Sequence, residues 1–218
     1  MICLVTAGPS FEPLDQVRRL TNFSTGRLGL ELANHLAGLG HAVTLLLSQQ
    51  ATCADPARVQ RVERFTTTAS LQDLLRSLAG PTVQTVFHAA AVSDFAFGRI
   101  WVNPPDADPR EVRSGKISTR EGTLLAELKP TPKLISQLRT WFTQAQIVGW
   151  KYEVDGGRES VLAKARAQIV ECQTHGCVAN GPAYGSGFGL VRTTGEWTHL
   201  PDHVALYEAL AQWMQPNG

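Results

Sequence analysis

The chain has 218 residues, of which 43% are hydrophobic and 18% are charged, a composition that favours a folded core over disorder. Its formal net charge of +1 argues against a nucleic-acid-binding protein, because such proteins carry a strongly basic surface. The longest apolar runs, such as residues 42–47, are far shorter than a membrane span, and the N-terminus lacks a signal-peptide pattern. We therefore expect a cytoplasmic protein that binds neither membranes nor nucleic acid.

Four cysteines, Cys3, Cys53, Cys172 and Cys177, give no sign of a metal site or a redox pair. None of them forms a C-x-x-C motif, and no histidine stands at zinc-ligand spacing beside two of them. We expect reduced thiols, with Cys3 and Cys177 inside strands.

Strand-like apolar segments alternate with helix-like segments along most of the chain. The predicted strands are residues 2–6, 42–47, 61–65, 85–91, 147–150 and 177–179, followed by a hairpin of residues 188–192 and 196–199. The predicted helices are residues 26–38, 70–78, 132–142 (with Thr131 as its cap), 159–172 and a last helix capped by Asp202. This order predicts an α/β, Rossmann-like fold, a mostly parallel sheet flanked by helices with a C-terminal hairpin.

Residues 95–127 break this alternation. The run of residues 103–109 contains three prolines and can be neither a helix nor a central strand. Two short strand-like pieces follow, near residues 112–118 and 123–128. We predict one domain over residues 1–218, from which an arm of approximately residues 96–128 projects.

Ligands of open α/β sheets bind beyond the carboxyl ends of the strands, near the point where the strand order reverses. Four segments are expected at that edge of the sheet: residues 6–10, 22–29, 89–95 and 149–155. The candidate chemistry of this protein is therefore expected in these four segments.

The segment that begins at Asn22 leads into the first helix. Ser24, Thr25 and Gly26 precede the helix, where free N–H groups and the positive helix end favour a phosphate or carboxylate. Gly26 allows close approach of the backbone, and Arg27 adds a positive charge. The alternative is an ordinary cap, in which Ser24 or Thr25 accepts from the first turn.

The segment after the fourth predicted strand begins with three alanines. Ala90 and Ala91 leave room for a flat group against the backbone, and Asp94 lies between Val92 and Phe95. A buried carboxylate there needs a hydroxyl, a metal or a cation as its partner. The alternative is a carboxylate that caps a helix or pairs with an arginine.

Single residues elsewhere carry weaker signals. Lys116 in the arm fits a cation that closes over a phosphoryl group, although a solvated surface lysine has the same pattern. Trp150 fits either a stacking partner of a base or a core residue. Asn180 ends a predicted strand at the same edge, where it has either a binding role or a turn role. No histidine is assigned a catalytic role, and His88 is expected in or beside the sheet.

Several motifs together resemble those of the phosphopantothenoylcysteine synthetase family. They occur in order over nearly the whole chain and are Thr6-Ala7-Gly8, residues 12–15, residues 22–27, residues 89–95, Gly115-Lys116-Ile117-Ser118, Lys133-Leu134-Ile135, residues 151–155 and Val178-Ala179-Asn180. The chain is similar to the stand-alone form of the family, since no flavin-dependent decarboxylase segment precedes these motifs.

This resemblance implies a Rossmann-like homodimer with ligase activity. The family uses CTP or ATP, with Mg²⁺, to activate the carboxylate of 4′-phosphopantothenate as an acyl nucleotidylate. The amine of cysteine then attacks this intermediate and forms an amide. The sequence leaves the choice between CTP and ATP open.

The resemblance also implies roles for individual residues. Asn22 matches the asparagine that holds the acyl intermediate, and Lys116 matches a lysine of the family's flap that contacts phosphates. The substrate or phosphate site is implied at Gly8, Ser24, Thr25, Gly26 and Arg27. The nucleotide site is implied at Ala90, Ala91, Asp94, Lys133, Trp150 and Asn180. Asp94 is the one candidate metal ligand.

Two departures from the family pattern keep other functions open. Gly8-Pro9-Ser10 stands where the family carries Gly-Gly-Thr, and Pro9 has no N–H to donate. Ser118 and Thr119 follow Lys116-Ile117 where the family has further lysines. The alternatives are a non-catalytic nucleotide- or metabolite-binding protein of the same fold and an NAD(P)-dependent reductase. The reductase is disfavoured because G-x-G-x-x-G is absent from the first turn.

Overall fold

The computed structural model describes residues 1–104, 108–112, 115–118, 120 and 122–214. The strands are β1 (Ile2–Ala7), β2 (Phe11–Pro13), β3 (Arg19–Thr21), β4 (Ala42–Ser48), β5 (Arg61–Phe65), β6 (Thr85–His88), β7 (Phe95–Asn103), β8 (Arg110–Glu111), β9 (Thr123–Pro130), β10 (Gln146–Tyr152), β11 (Gly176–Asn180), β12 (Phe188–Arg192) and β13 (Trp197–Leu200). The helices are α1 (Arg27–Gly38), α2 (Thr68–Ser77), α3 (Leu134–Trp141), α4 (Arg158–Cys172) and α5 (His203–Trp213).

The central sheet has eight strands in the order β13-β12-β11-β10-β6-β1-β4-β5. The six strands from β11 to β5 run parallel, and β12 and β13 add an antiparallel hairpin at one edge. The predicted Rossmann-like fold with a C-terminal hairpin is therefore confirmed. The chain first extends the sheet from β1 to β4 and β5, and then returns to place β6 on the other side of β1. The strand order reverses between β1 and β6, which is where such sheets bind their ligands.

Helices cover both faces of the sheet, which is why its central strands are apolar without alternation. One face packs on α1 and α5, through side chains such as Val5, Leu32 and Leu210. The other face packs on α2 and α3, through side chains such as Leu4, Leu71 and Leu138. Helix α4 covers β11 and β12. Cys3 and Cys177 are buried inside strands, as predicted, and the four cysteines are unpaired.

Two small sheets stand apart from the central one. Strands β2 and β3 form an antiparallel hairpin, and β7 pairs with both β8 and β9. The three-stranded sheet coincides with the predicted arm, of which residues 105–107, 113, 114, 119 and 121 lie outside the described residues. Strand β7 was not predicted. The strand predicted near residues 112–118 is wrong for the described residues of that range, because the short strand that pairs with β7 there is β8, Arg110–Glu111.

Two further details of the prediction are wrong. The strand predicted over residues 85–91 ends at His88, because the alanines that follow leave the sheet to bond with the loop after β1. Thr131 does not cap the third helix. Its hydroxyl donates to the carbonyl of Ser93, and α3 begins at Leu134 after Lys133.

Helix α1 lies so close to β1 that only glycine fits at one point of contact. A Cβ at Gly29 would lie 2.6 Å from the Cβ of Ala7 and 3.0 Å from the carbonyl oxygen of Thr6. We expect Gly29→Ala to lower the free energy of unfolding by about 3 kcal/mol, because helix and strand must move apart. Urea unfolding measures this loss. Gly38→Ala is the control, since a Cβ at Gly38 meets nothing within 4 Å, and an equal loss in both variants would contradict the account.

None of the helices in the described part of the chain combines the length and the apolar character needed to cross a membrane.

Candidate functional site

The loops that follow β1 and β6 are bonded to each other where the strand order reverses. We call residues 89–94 the alanine loop and residues 22–25 the Asn22 turn. The N–H of Ala91 donates to the carbonyl of Gly8 at 3.0 Å, and the N–H of Ser10 donates to the carbonyl of Ala91 at 3.1 Å. The side-chain nitrogen Nδ2 of Asn22 donates to the carbonyls of Ala91 and Val92, at 3.2 and 3.1 Å. The Asn22 turn and the alanine loop, predicted from different motifs, therefore form one structure.

The bonds of Asn22 also decide which atom it offers to a ligand. Both hydrogens of its amide are directed at backbone carbonyls, so the assignment of Nδ2 and Oδ1 follows from the contacts. Its oxygen Oδ1 is left as a hydrogen-bond acceptor on an exposed residue. Asn22 can therefore accept from an N–H of a bound group without adding charge to the site.

A second set of hydrogen bonds joins the alanine loop to the residues around β2 and to the start of α2. The hydroxyl of Ser10 accepts from the N–H of Ser93 at 2.8 Å and lies 3.1 Å from the hydroxyl of Thr68. Buried Glu12 accepts from the N–H of Thr68 at 2.9 Å, at the start of α2. Thr21 donates to the carbonyl of Ser10. Ser10 and Glu12 fall within segments named from the sequence, but their contacts were not predictable, because Thr68 and Ser93 lie more than 50 residues away from them.

The predicted anion cradle at Gly8 is not open. Gly8 and Gly26 are buried and pack against each other, so that a Cβ on Gly26 would lie 3.2 Å from the Cα of Gly8. A Cβ on Gly8 would lie 2.8 Å from the Cβ of Ser48. Both glycines have positive φ angles, of 85° and 79°. Their role is close packing of the start of α1 on the loop after β1.

Of the cap that the alternative interpretation predicted from Ser24 or Thr25, the structure shows one hydrogen bond, which Thr25 accepts from the first turn. The cap residue is Gly26, and it offers no side-chain hydrogen bond. Thr25 accepts only weakly from the N–H of Arg27, at 3.3 Å, and Thr25 and Arg27 are both exposed. The start of α1 therefore keeps donors available for a ligand.

Asp94 is the last residue of the alanine loop, and it lacks the burial under which its carboxylate would need a partner. The residue is exposed, so its charge needs no buried partner, and its backbone carbonyl accepts from the N–H of Thr131 at 2.9 Å. Over the described ranges, no group of three or more histidine, cysteine, aspartate or glutamate side chains could hold a metal ion.

Lys116 lies at the turn of the β2–β3 hairpin, and Asn22 follows the other end of the same hairpin. The flap segment, residues 115–118, is held there by Asp15, which accepts from the N–H of Ile117 at 3.2 Å, and by Arg18, which donates to the carbonyl of Ile117 at 2.7 Å. A hydrogen bond from Arg18 is the main reason why the pKa of Asp15 is well below its ordinary value. The three residues of β3 separate this turn from Asn22, about 10 Å of strand.

The remaining predicted residues lie at the same edge of the sheet but on different faces. Trp150 is half-buried against the core of the α1 and α5 face, and its indole N–H is buried without a partner among the described residues. Asn180 lies on the neighbouring strand and accepts from the N–H of Glu153 at 3.1 Å. Lys133 is exposed at the start of α3, on the opposite face. The structure thus brings Trp150 and Asn180 near each other and leaves Lys133 apart from them.

His88 ends β6 directly before the alanine loop and is fully within the sheet. Its Nδ1 lies 3.0 Å from the hydroxyl of Thr6, which accepts from the N–H of Ala90 at 3.1 Å. The hydroxyl of Thr6 has two lone pairs and one hydrogen, so the tautomer of the imidazole decides which of the two groups donates in this bond. Burial lowers the pKa of His88 to about 4. His88 and Thr6 together fix where the alanine loop leaves the sheet.

This neutral histidine predicts a pH dependence of stability. Between pH 7 and pH 5 the unfolded chain takes up a proton at His88, near its ordinary pKa of about 6.5, whereas the folded chain does not. The folded state is therefore expected to lose about 2 kcal/mol over this range through His88. Urea unfolding at both pH values, for the wild type and for His88→Asn, isolates this contribution. An equal pH dependence in the two proteins would contradict it.

Comparisons with known proteins agree with this architecture. A family model of the DNA/pantothenate metabolism flavoprotein C-terminal domain matches residues 2–198. The coenzyme A biosynthesis bifunctional protein CoaBC of Thermococcus kodakarensis is 32% identical over 185 residues, 84% of this chain and 42% of that protein. CoaBC of Mycolicibacterium smegmatis is 42% identical over 166 residues, 76% of this chain and 38% of that protein.

Solved structures share the fold at lower identity. The DNA/pantothenate metabolism flavoprotein of Streptococcus pneumoniae gives a TM-score of 0.85 at 24% identity, over 100% of both chains. A Cab2 variant in complex with phosphopantothenate-cysteine gives a TM-score of 0.69 at 21% identity, over 98% of this chain and 87% of that one.

The extent of these matches identifies the family. The chain spans less than half the length of the curated relatives it matches, and the family model covers nearly all of this chain. The motifs in the first strand, the Asn22 turn, the alanine loop and β11 fall within the matched residues. The resemblance drawn from those motifs is thereby confirmed, and the chain belongs to the family of the DNA/pantothenate metabolism flavoprotein C-terminal domain.

Proposed function

We propose that this protein joins 4′-phosphopantothenate to cysteine, through an acyl nucleotidylate formed from CTP or ATP. The observation that carries the proposal is the bonding of Asn22 to the alanine loop at the point where the strand order reverses. It is supported by the relatives, which are coenzyme A biosynthesis proteins, and by the Cab2 variant that shares the fold and binds phosphopantothenate-cysteine.

The reaction has two steps with different demands on the protein. The carboxylate of phosphopantothenate attacks the α-phosphorus of the nucleotide and releases pyrophosphate. The amine of cysteine then attacks the acyl carbon, and the nucleoside monophosphate leaves. Because the reactants are anions, the first step needs cations and directed N–H groups, and the second needs the amine held in line.

The start of α1 fits the substrate phosphate. The N–H groups beyond Gly26, the hydroxyls of Ser24 and Thr25 and the guanidinium of Arg27 all lie at the positive end of this helix. Gly8 supports this site by letting α1 pack closely on β1. Asn22, beside it, is proposed to accept from an N–H of the acyl intermediate or of the incoming amine, because its own hydrogens are engaged.

The nucleotide is proposed to bind along the alanine loop. Ala90 and Ala91 leave space beside the backbone, and Asn180 lies on the strand next to Trp150. Trp150 offers a half-buried ring whose N–H has no partner in the part of the chain that the structure describes. Lys133 and Lys116 would approach the phosphates from α3 and from the flap segment. Mg²⁺ would be held mainly by phosphate oxygens and water, with Asp94 as the candidate protein ligand.

We propose that the protein acts as a homodimer in the cytoplasm and that the arm takes part in pairing. Leu128 on β9 and Phe95 at the base of β7 lie on the same face of the three-stranded sheet and are 49% and 44% exposed. Apolar side chains at such exposure mark a surface that a second copy of the chain can cover. Sedimentation at micromolar concentration tests this, and a monomer would contradict it.

Pyrophosphate release is the direct test of the proposed function. The protein is incubated with Mg²⁺, CTP or ATP, and phosphopantothenate, with and without cysteine. Sustained release that needs both phosphopantothenate and cysteine supports the ligase. Tight nucleotide binding without turnover would instead support a binding protein of the same fold, and binding of NAD(P)H would support a reductase.

A further inference from the structure

Arg27 is the first residue of α1 and is linked to the last helix of the described chain. Its Nε donates to one carboxylate oxygen of Glu31, one helical turn further on. The other oxygen of Glu31 accepts from the hydroxyl of Tyr207 at 2.8 Å. Tyr207 lies on α5, 176 residues away from Glu31 in the sequence. The result is a chain of three polar groups from α5 to the start of α1.

The exposure of the three groups increases from Tyr207 to Arg27, so the buried end of the chain can hold the exposed end in place. Tyr207 is 7% exposed, whereas the side chains of Glu31 and Arg27 are 21% and 64% exposed. Burial raises the pKa of Tyr207, so its hydroxyl stays protonated. Burial raises the pKa of Glu31, but the hydrogen bonds from Arg27 and Tyr207 outweigh this effect and hold that pKa below its ordinary value. The buried, neutral hydroxyl of Tyr207 thus holds the carboxylate of Glu31, which in turn holds the exposed guanidinium of Arg27.

The position of the bond on Arg27 matters for what the guanidinium can bind. Only Nε is engaged by Glu31, and within the described residues neither Nη group makes a hydrogen bond. The two Nη groups present the planar fork that binds two phosphate oxygens together. Without Glu31, the long side chain of an exposed arginine would sample many rotamers.

We infer that Tyr207 is a positioning residue, which acts through Glu31 to hold Arg27 in the orientation that receives the phosphate group of the substrate. This inference rests on the proposed function, because it takes phosphopantothenate as the ligand whose phosphate reaches α1. It assigns a role in binding to the C-terminal helix, which contributes no residue to the predicted site.

The ring of Tyr207 is held independently of its hydroxyl. The rings of His35 and His203 lie 6.1 and 6.2 Å from it, and the side chain belongs to the main core. Tyr207→Phe therefore removes one hydrogen bond and keeps the packing. Tyr184→Phe is a matched control, since the hydroxyl of Tyr184 is also bonded, to His199 at 2.9 Å. Tyr184 belongs to the hydrophobic cluster under α4, not to the core that contains Tyr207.

Calorimetric titration with two ligands tests the inference. The ligands are 4′-phosphopantothenate and pantothenate, which differ only in the phosphate. Tyr207→Phe is expected to weaken binding of phosphopantothenate about fivefold and to leave pantothenate unchanged, because the lost bond supports a charged contact. Tyr184→Phe is expected to change neither. In an Arg27→Met background, Tyr207→Phe is expected to have no further effect on either ligand.

Other results would overturn the inference. Tighter binding of phosphopantothenate by Tyr207→Phe would mean that Glu31 holds Arg27 away from the site. Equal weakening of both ligands, or weakening that persists with Arg27→Met, would mean that Tyr207 acts through the general fold. If the wild type showed no preference for the phosphorylated ligand, the inference would fail. If that preference and its loss were seen without any pyrophosphate release, the inference would stand and the ligase function would fail.

Discussion

Replacement of Asn22 by aspartate is expected to slow transfer of the acyl group to cysteine about 100-fold, and formation of the acyl nucleotidylate less than about 10-fold. Asn22→Asp removes both hydrogens that bond to the carbonyls of Ala91 and Val92, and it places a carboxylate oxygen against them. It also sets a negative charge beside the acyl phosphate. The step that needs the amine aligned with the acyl carbon suffers most, because alignment depends on this loop.

Two single-turnover experiments separate these effects. Release of pyrophosphate without cysteine reports the first step, and loss of the preformed intermediate on addition of cysteine reports the second. Asn34→Asp is the matched control, because Nδ2 of Asn34 also donates to a carbonyl, that of Pro56, on the side of α1 away from the alanine loop. Equal slowing of both steps by Asn22→Asp would remove the proposed role of Asn22.

Replacement of Lys116 by alanine is expected to lower turnover about 100-fold, with a change in melting temperature of less than about 2 °C. The backbone on both sides of Lys116 is held to the hairpin turn by Gln16, Asp15 and Arg18. The segment should therefore stay in place without the lysine, whose side chain is exposed. Under the proposed function, the variant loses a positive charge that meets the phosphates in the first step.

The comparison with Lys164→Ala makes this prediction specific. Lys164 on α4 is also exposed, and it forms an ion pair with Glu153, which follows β10. We expect Lys164→Ala to retain wild-type turnover, because exposed ion pairs contribute little. A melting temperature lowered by several degrees in Lys116→Ala, together with full activity per folded molecule, would show that Lys116 is a structural lysine.

The sheet was predictable because its signals are local. The strands of the parallel core are continuous apolar runs, and leucines at four-residue spacing mark α1, so periodicity alone gave the fold class. Strand β7 was not predictable in this way. Its partners are β8 and β9, outside the central sheet, and nearby prolines dominated the local pattern. The end of β6 was also missed, since Ala89 and Ala90 are apolar yet leave the sheet.

The site was predictable only in part, and for a related reason. The motif around Asn22 indicates a polar turn at the carboxyl edge, but its contact with Ala91 spans 69 residues. The hydrogen bonds of Ser10 to Ser93 and of Thr6 to His88 likewise join segments more than 80 residues apart. Asp94 is exposed although its sequence neighbours Val92 and Phe95 are apolar. Burial and long-range pairing come from tertiary packing, which short motifs do not encode.

The fate of one labelled oxygen tests the central claim most directly. Phosphopantothenate labelled with ¹⁸O at both carboxylate oxygens is converted with cysteine, Mg²⁺ and CTP or ATP, and the masses of the products are measured by mass spectrometry. The proposed acyl nucleotidylate predicts one ¹⁸O in the nucleoside monophosphate and none in pyrophosphate. Label in orthophosphate, or amide formation that leaves the nucleoside monophosphate unlabelled, would contradict it.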